Sequence, residues 1–186
     1  MPVFLRKNAN MHSLKYARIE RERRFLLDRF PNDLKVTRVR RIADRYIEGT
    51  MLRLRIQTDD DGPAVFKLTQ KIPARAEGAQ QGLITNVHLS KEEFDLLAQL
   101  PARPLSKIRH SVSPFGIDVF EDDLEGLVLA EAEFDSAAAA NGLCLPSFLV
   151  AEISADDRFT GGRLVRASRE DLRLWLTEYG LGLTPG

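Results

Sequence analysis

With 186 residues, 44% of them hydrophobic, the chain is long enough to bury a core and reads as one domain over residues 17–186, preceded by an N-terminal extension of residues 1–16. Its 27 basic and 27 acidic residues cancel, which argues against an overall basic face for duplex DNA. A single cysteine, Cys144, excludes an internal disulfide and a multi-cysteine zinc site and fits a reduced, cytoplasmic setting, and no stretch reaches the roughly 20 apolar residues of a membrane span.

The first patterned stretch is Ile19 to Phe25, in which five of seven side chains are charged, followed at once by Leu26 and Leu27. As a strand it sets Glu20, Glu22 and Arg24 on one face, about 7 Å apart along the chain. After a turn at Pro31-Asn32-Asp33, alternation resumes from Val36 and runs to Ile47. Met51 to Ile56 alternates strictly, with Arg53 and Arg55 opposite Leu52, Leu54 and Ile56. Asp59 to Pro63 makes the next turn, a solvated acidic loop rather than a calcium site. Val65 to Ile72 then sets Lys67, Thr69 and Lys71 opposite Phe66, Leu68 and Ile72.

A polar loop over Pro73 to Gly82 leads to a strand at Leu83 to Leu89. Ser90 to Glu93 has capping-box spacing and starts a short helix, ended by Pro101 and Pro104. Lys107-Ile108-Arg109 opens a further strand, and Phe115 to Phe120 the next. Leu127 to Phe134 mirrors the first strand, with Leu127, Leu129, Glu131 and Glu133 on one side. Asp135 to Asn141 forms a helical turn, Leu149 to Ile153 a last short strand, and Arg158 to Gly162 a loop. Ser168 caps a final amphipathic helix carrying Leu172, Trp175, Leu176 and Tyr179. Cys144, among Leu143, Leu145 and Pro146, is expected to be buried. His12, His88 and His110 are too scattered for a metal triad, and Gly161-Gly162 lacks the lysine of a phosphate loop.

About eight strands therefore carry charge on one face and aliphatic side chains on the other. Solvated faces intersperse the two signs, but here Arg53/Arg55, Lys67/Lys71 and Lys107/Arg109 are wholly cationic while Glu20/Glu22 and Glu131/Glu133 are wholly anionic. Closing the sheet with this face inward gives a lumen with a cationic and an anionic wall. A triphosphate bound with Mg2+ or Mn2+ fits both: arginine and lysine hold phosphate oxygens, and carboxylates hold the hard cation.

The residues resemble the CYTH domain, or triphosphate tunnel metalloenzyme, superfamily. Its Glu-x-Glu-x-Lys strand is matched by Glu20 and Glu22, with Arg24 in place of the lysine. Its Arg-x-Arg strand is matched by Arg53 and Arg55, the lysine strand by Lys67 and Lys71, and the Lys-x-Arg strand by Lys107 and Arg109. Asp118, Phe120 and Glu121 match its Asp-x-Phe-Glu segment. Leu124, Gly126, Leu127, Leu129, Glu131 and Glu133 match its late acidic strand, and Glu152, Asp156, Arg158 and Phe159 its final stretch. A mid-chain glutamate that many members carry is absent, its strand holding Ile84, Asn86 and His88.

The likeness implies an α+β, mainly antiparallel fold, an eight-stranded closed tunnel barrel with helices packed outside. It also implies metal-dependent turnover of a triphosphate in the lumen. Glu20, Glu22, Arg24, Glu131 and Glu133 would be catalytic. Arg24, Arg53, Arg55, Lys67, Lys71, Lys107 and Arg109 would bind substrate, and Glu20, Glu22, Asp118, Glu131, Glu133 and Glu152 would bind Mg2+ or Mn2+. Inorganic triphosphate is the first expectation. Thiamine triphosphatase, class IV adenylyl cyclase and a non-catalytic polyphosphate-binding module are the alternatives the same likeness covers. The sequence is silent on oligomeric state.

Overall fold

Alternating side chains build strands here, and the computed structural model, which describes residues 15–60, 62–73 and 81–183, places them in one antiparallel sheet. In chain order the elements are β1 (Arg18–Leu27), β2 (Arg38–Ile47), β3 (Leu52–Asp59), β4 (Val65–Pro73) and β5 (Gln81–Leu89). There follow α1 (Lys91–Leu97), β6 (Ala102–Val112), β7 (Phe115–Phe120), β8 (Val128–Glu133) and α2 (Ala137–Asn141). The chain ends with β9 (Ala151–Glu152), α3 (Gly161–Leu164) and α4 (Arg169–Thr177).

The strand order is β5-β4-β3-β2-β6-β7-β8-β1-β9, and a β5–β1 pairing closes the first eight into a barrel. β1 makes that closure by dividing its length. Arg18 to Arg21 pair with β5, while Glu22 to Leu27 pair with β8 and Phe25 and Leu26 with β9.

Outside the barrel, apolar faces are covered in two places. Phe25, Leu27, Phe115, Ile117 and Val128 pack with Leu143, Phe148 and Leu149 from the segment after α2. Leu54 and Ile47 pack with Phe94 of α1, whose ring lies 5.1 Å from that of Phe66. Helix α1 starts where the capping pattern requires, Ser90 accepting from the Glu93 amide and Glu93 accepting from the Ser90 amide.

A third cluster lies on the inward parity. Leu26, Leu105, Phe120 and Leu129 meet Phe159, Leu164, Leu172 and Leu176, and Trp175 packs its ring 6.0 Å from Phe159. Full burial of such side chains stabilises by about 1.5–3 kcal/mol each. The C-terminal helices are thereby fixed against one part of the lumen. Gly161 permits their closest approach, since a Cβ there would stand 1.9 Å from the Tyr46 hydroxyl oxygen.

The structure departs from the sequence reading at several points. Pro104 lies within β6, where it faces Arg45 of β2; the other side of β6 is paired with β7 only from Lys107 onward, so the missing amide costs no ladder bond. The stretch read as a loop at Arg158 to Gly162 contains a 3-10 turn, Asp157–Phe159, and the start of α3. Cys144 is exposed rather than buried. Residues 1–14 of the expected extension and 74–80 of the expected polar loop lie outside the described residues. Among the described residues no helix is long and apolar enough to cross a membrane.

Candidate active site

The inward parity of the strands surrounds a cavity of about 1010 Å³. Its lining includes Glu20, Glu22 and Arg24 of β1, Arg53 and Arg55 of β3, Lys67 and Lys71 of β4, Lys107 and Arg109 of β6, and Glu131 and Glu133 of β8. Eleven of the residues singled out from the sequence thus face one space. Register explains the convergence: Glu22 stands opposite Glu133, Arg24 opposite Glu131 and Arg55 opposite Lys67.

Two buried carboxylates hold the cations from behind. Asp44 of β2 accepts from Nε and Nη2 of Arg55, both at 2.7 Å, and lies 3.6 Å from Arg53. Asp118 of β7 accepts from Lys107 Nζ at 2.5 Å and from Nε and Nη2 of Arg109 at 2.6 Å each. Arg109 also reaches Glu131, crossing above Gly116, where a Cβ would come within 3.2 Å of its side chain. Burial alone would raise the Asp44 carboxyl, but Arg53 and Arg55 outweigh it and hold Asp44 below the usual range.

The anionic wall carries a different balance. Lys71 Nζ lies 2.8 Å from Glu20 and 3.9 Å from Glu22. Burial, together with the charges of Glu131 and Glu20, pushes Glu22 up to about 7, against the pull of Lys71 and Arg24. Glu131 is also buried, yet Arg109 and Lys107 outweigh that and keep it far below the usual carboxylate range. Two neighbouring glutamates are therefore set apart in charge by their partners.

Asp118 and Glu152, expected among the metal ligands, are not brought together with the other glutamates. Both oxygens of Asp118 are engaged by Lys107 and Arg109 and the residue is fully buried. Glu152 pairs with Arg23, at 2.6 and 2.9 Å, and accepts from Ser154, away from the cavity lining. Arg24 lines the cavity but is also built into its wall, with Nη1 donating to the Phe159 carbonyl at 2.9 Å and Nη2 to that of Ser154 at 3.3 Å.

Sequence reasoning passed over Asp44, Arg40 and Arg18. The available signal was parity, because Arg40 and Asp44 fall on the same face of β2 as Arg38. Ile84 and Asn86, on the strand where the resemblance led to the expectation of a glutamate, line the cavity, with Asn86 Oδ1 accepting from Thr69 Oγ1 at 2.7 Å.

The donor chemistry suits a hard divalent cation. Glutamate oxygens line one wall, a positive charge is already accommodated between Glu20 and Glu22, and burial disfavours leaving Glu22 charged without one. Among the described residues, no three carboxylate, imidazole or thiolate groups converge as a ready-made metal cage.

Neither a family model nor a curated protein matches the chain. Among solved structures, one of NE1496, described as a hypothetical protein, is 26% identical, with a TM-score of 0.54 over 80% of this chain and 99% of that one. A second, described as the inorganic triphosphatase NE1496, is 24% identical, with a TM-score of 0.53 over 80% of this chain and 95% of that one. The chain shares the closed antiparallel barrel fold of these structures. In both comparisons the likeness covers most of each chain, and here the closed barrel carries its charges inward.

Proposed function

We propose that the chain hydrolyses inorganic triphosphate in the tunnel, with Mg2+ or Mn2+ as cofactor. The observation that carries this reading is the segregation of charge inside one cavity, with the glutamates confined to β1 and β8 and most of the arginines and lysines on β2, β3, β4 and β6. The description of NE1496 as an inorganic triphosphatase supports the same reading.

Arg53, Arg55, Lys107 and Arg109 would grip the phosphate oxygens of triphosphate, and Lys67 stands beside Arg55 across the ladder. Arginine offers paired donors to such oxygens, and Asp44 and Asp118 fix the guanidinium planes before substrate arrives. Phosphoryl transfer depends chiefly on positioning and on neutralising spread charge, which fixed cations supply without rearrangement. Glu20, Glu22, Glu131 and Glu133 would hold the divalent ion. When bound, that ion adds charge neutralisation at the phosphates and makes the attacking water more acidic. Lys71, now between Glu20 and Glu22, would turn to the phosphate chain, and Arg24 would keep its wall in place.

The test is phosphate release from inorganic triphosphate, ATP, thiamine triphosphate and pyrophosphate, with Mg2+ or Mn2+ and with a chelator control. Metal-dependent release with a strong preference for inorganic triphosphate is expected. Release of cyclic AMP from ATP, or tight triphosphate binding with no turnover, would replace this reading by a lyase or a binding module.

A further inference from the structure

The outer part of the tunnel holds more positive charge than the triphosphate grip uses. On the inner face, Arg40 of β2 stands directly opposite Arg109 of β6, and Arg55 of β3 directly opposite Lys67 of β4. Like charges in directly opposed positions repel unless something neutralises them. The protein neutralises two of these four, Arg55 through Asp44 and Arg109 through Asp118 and Glu131. The other two are left largely uncompensated.

Arg40 approaches Asp59 at 3.4 Å, but that carboxylate is taken up by a two-point contact with Arg38. Its Nε is buried and makes no hydrogen bond among the described residues. Lys67 has no ion-pair partner among the described residues, and its charged neighbours are Arg55, Arg40, Arg53 and Arg18. Burial and these arginines hold Lys67 below its ordinary value, and burial and Arg38 do the same for Arg40. Arg18, the first residue of β1, lines the same space. Such a group of cations is stabilised by a bound anion.

We propose that Arg40, Lys67 and Arg18 form an additional anion subsite at the outer end of the grip, which takes the fourth phosphate of a linear phosphate chain. The subsite is continuous with the triphosphate grip: Arg40 adjoins Arg109 and Lys67 adjoins Arg55 across their ladders, so a phosphate added to the outer end of the chain meets both. The inference rests on the tunnel being a phosphate-chain site, as proposed above, and extends its substrate class to tetraphosphate.

The experiment is calorimetric titration of the full chain with inorganic triphosphate and tetraphosphate, in chelator and at fixed ionic strength, so that no turnover is involved. The parent is expected to bind tetraphosphate about ten-fold more tightly than triphosphate, the scale of one charge-assisted contact. Arg40→Gln should remove most of that preference while changing triphosphate affinity by less than about two-fold, and Arg40→Lys should restore part of it. Equal affinities in the parent, or an Arg40→Gln variant that weakens both ligands alike, would overturn the subsite. A chain that prefers tetraphosphate in this titration yet releases no phosphate from any substrate keeps the subsite and loses the hydrolase reading. One that hydrolyses triphosphate but shows no preference does the reverse.

Discussion

Asp44 lies beneath Arg55 as a two-point carboxylate, with both contacts at 2.7 Å and its own side chain only 1% exposed. It also faces Arg53, so one buried acid orients both members of the Arg-x-Arg pair. Asp44→Asn would leave two part-buried guanidinium groups without their counter-charge, a change that costs about 3–5 kcal/mol when a buried pair is broken. A fall in melting temperature of about 6–20 °C is expected, by the usual scaling for a chain of this size. The Michaelis constant for triphosphate should rise by at least about ten-fold in protein that remains folded. The sign with pH follows from the depressed Asp44 value: its stabilising contribution is present above the ordinary aspartate range and is lost as pH falls through the folded-state value. The melting difference between parent and variant should therefore shrink in acid. A variant with parental kinetics would show that Asp44 does not orient the pair.

Glu22 gives the opposite pH dependence. Its carboxyl is raised from 4.5 to about 7 in the folded chain, so the native state holds its proton more tightly than the unfolded state does. Stability from this group is complete below about pH 4.5 and declines as pH rises to 7. The decline is on the order of 3 kcal/mol. Glu22→Gln cannot ionise, and in metal-free buffer it should melt close to the parent at pH 5 and several degrees above it at pH 8. Taking the difference between the two proteins cancels other titrations, such as that of His110. A gap that does not widen with pH would show that Glu22 ionises normally. The same variant should have lost turnover.

Lys71 lies with its ammonium 2.8 Å from Glu20 and 3.9 Å from Glu22, the carboxylates proposed to hold the divalent ion. Lys71→Gln should therefore bind Mn2+ more tightly than the parent in the absence of substrate, by about ten-fold, since one competing charge is gone. Its triphosphate affinity should fall if, as proposed, the same ammonium turns to the phosphate chain. Calorimetry with Mn2+ alone and with triphosphate alone separates the two effects. Weaker Mn2+ binding in the variant would place the ion elsewhere.

The barrel was legible because its strands alternate so strictly. Arg53 and Arg55 against Leu54 and Ile56, or Glu131 and Glu133 against Ala130 and Ala132, declare their faces without any partner strand. What remained hidden depends on cross-strand register, which no single strand contains. Asp44 reads as a lone acid until β3 lays Arg55 beside it. Arg40 reads as one of several surface arginines until β6 sets Arg109 opposite. Asp118 shares the inward parity of the lining, but Lys107 and Arg109 enclose it so completely that it holds cations in place instead of presenting a free oxygen. Glu152 failed for a different reason. It lies on the two-residue strand β9, whose short pairing with β1 turns it toward Arg23.

Arg24 stands where the superfamily pattern has lysine, and its contacts say what the larger group adds. Its Nη1 and Nη2 donate to the carbonyls of Phe159 and Ser154, while Nε lies 3.7 Å from Glu22. The Arg24 amide donates to the Ser154 hydroxyl, so β1 and the segment leading to α3 are joined through both backbone and side chain. A lysine ammonium is a single point and cannot span the two carbonyls and the carboxylate together. Arg24→Lys should lower the melting temperature by about 3–12 °C, the loss of one hydrogen bond made by a charged group. Because a positive charge remains beside Glu22, turnover should fall by less than about ten-fold, whereas Arg24→Gln, which removes the charge, should lose considerably more. Melting curves and kcat for the two variants decide the matter. Equal losses of kcat in both would make the guanidinium shape, and not its charge, the feature the tunnel requires.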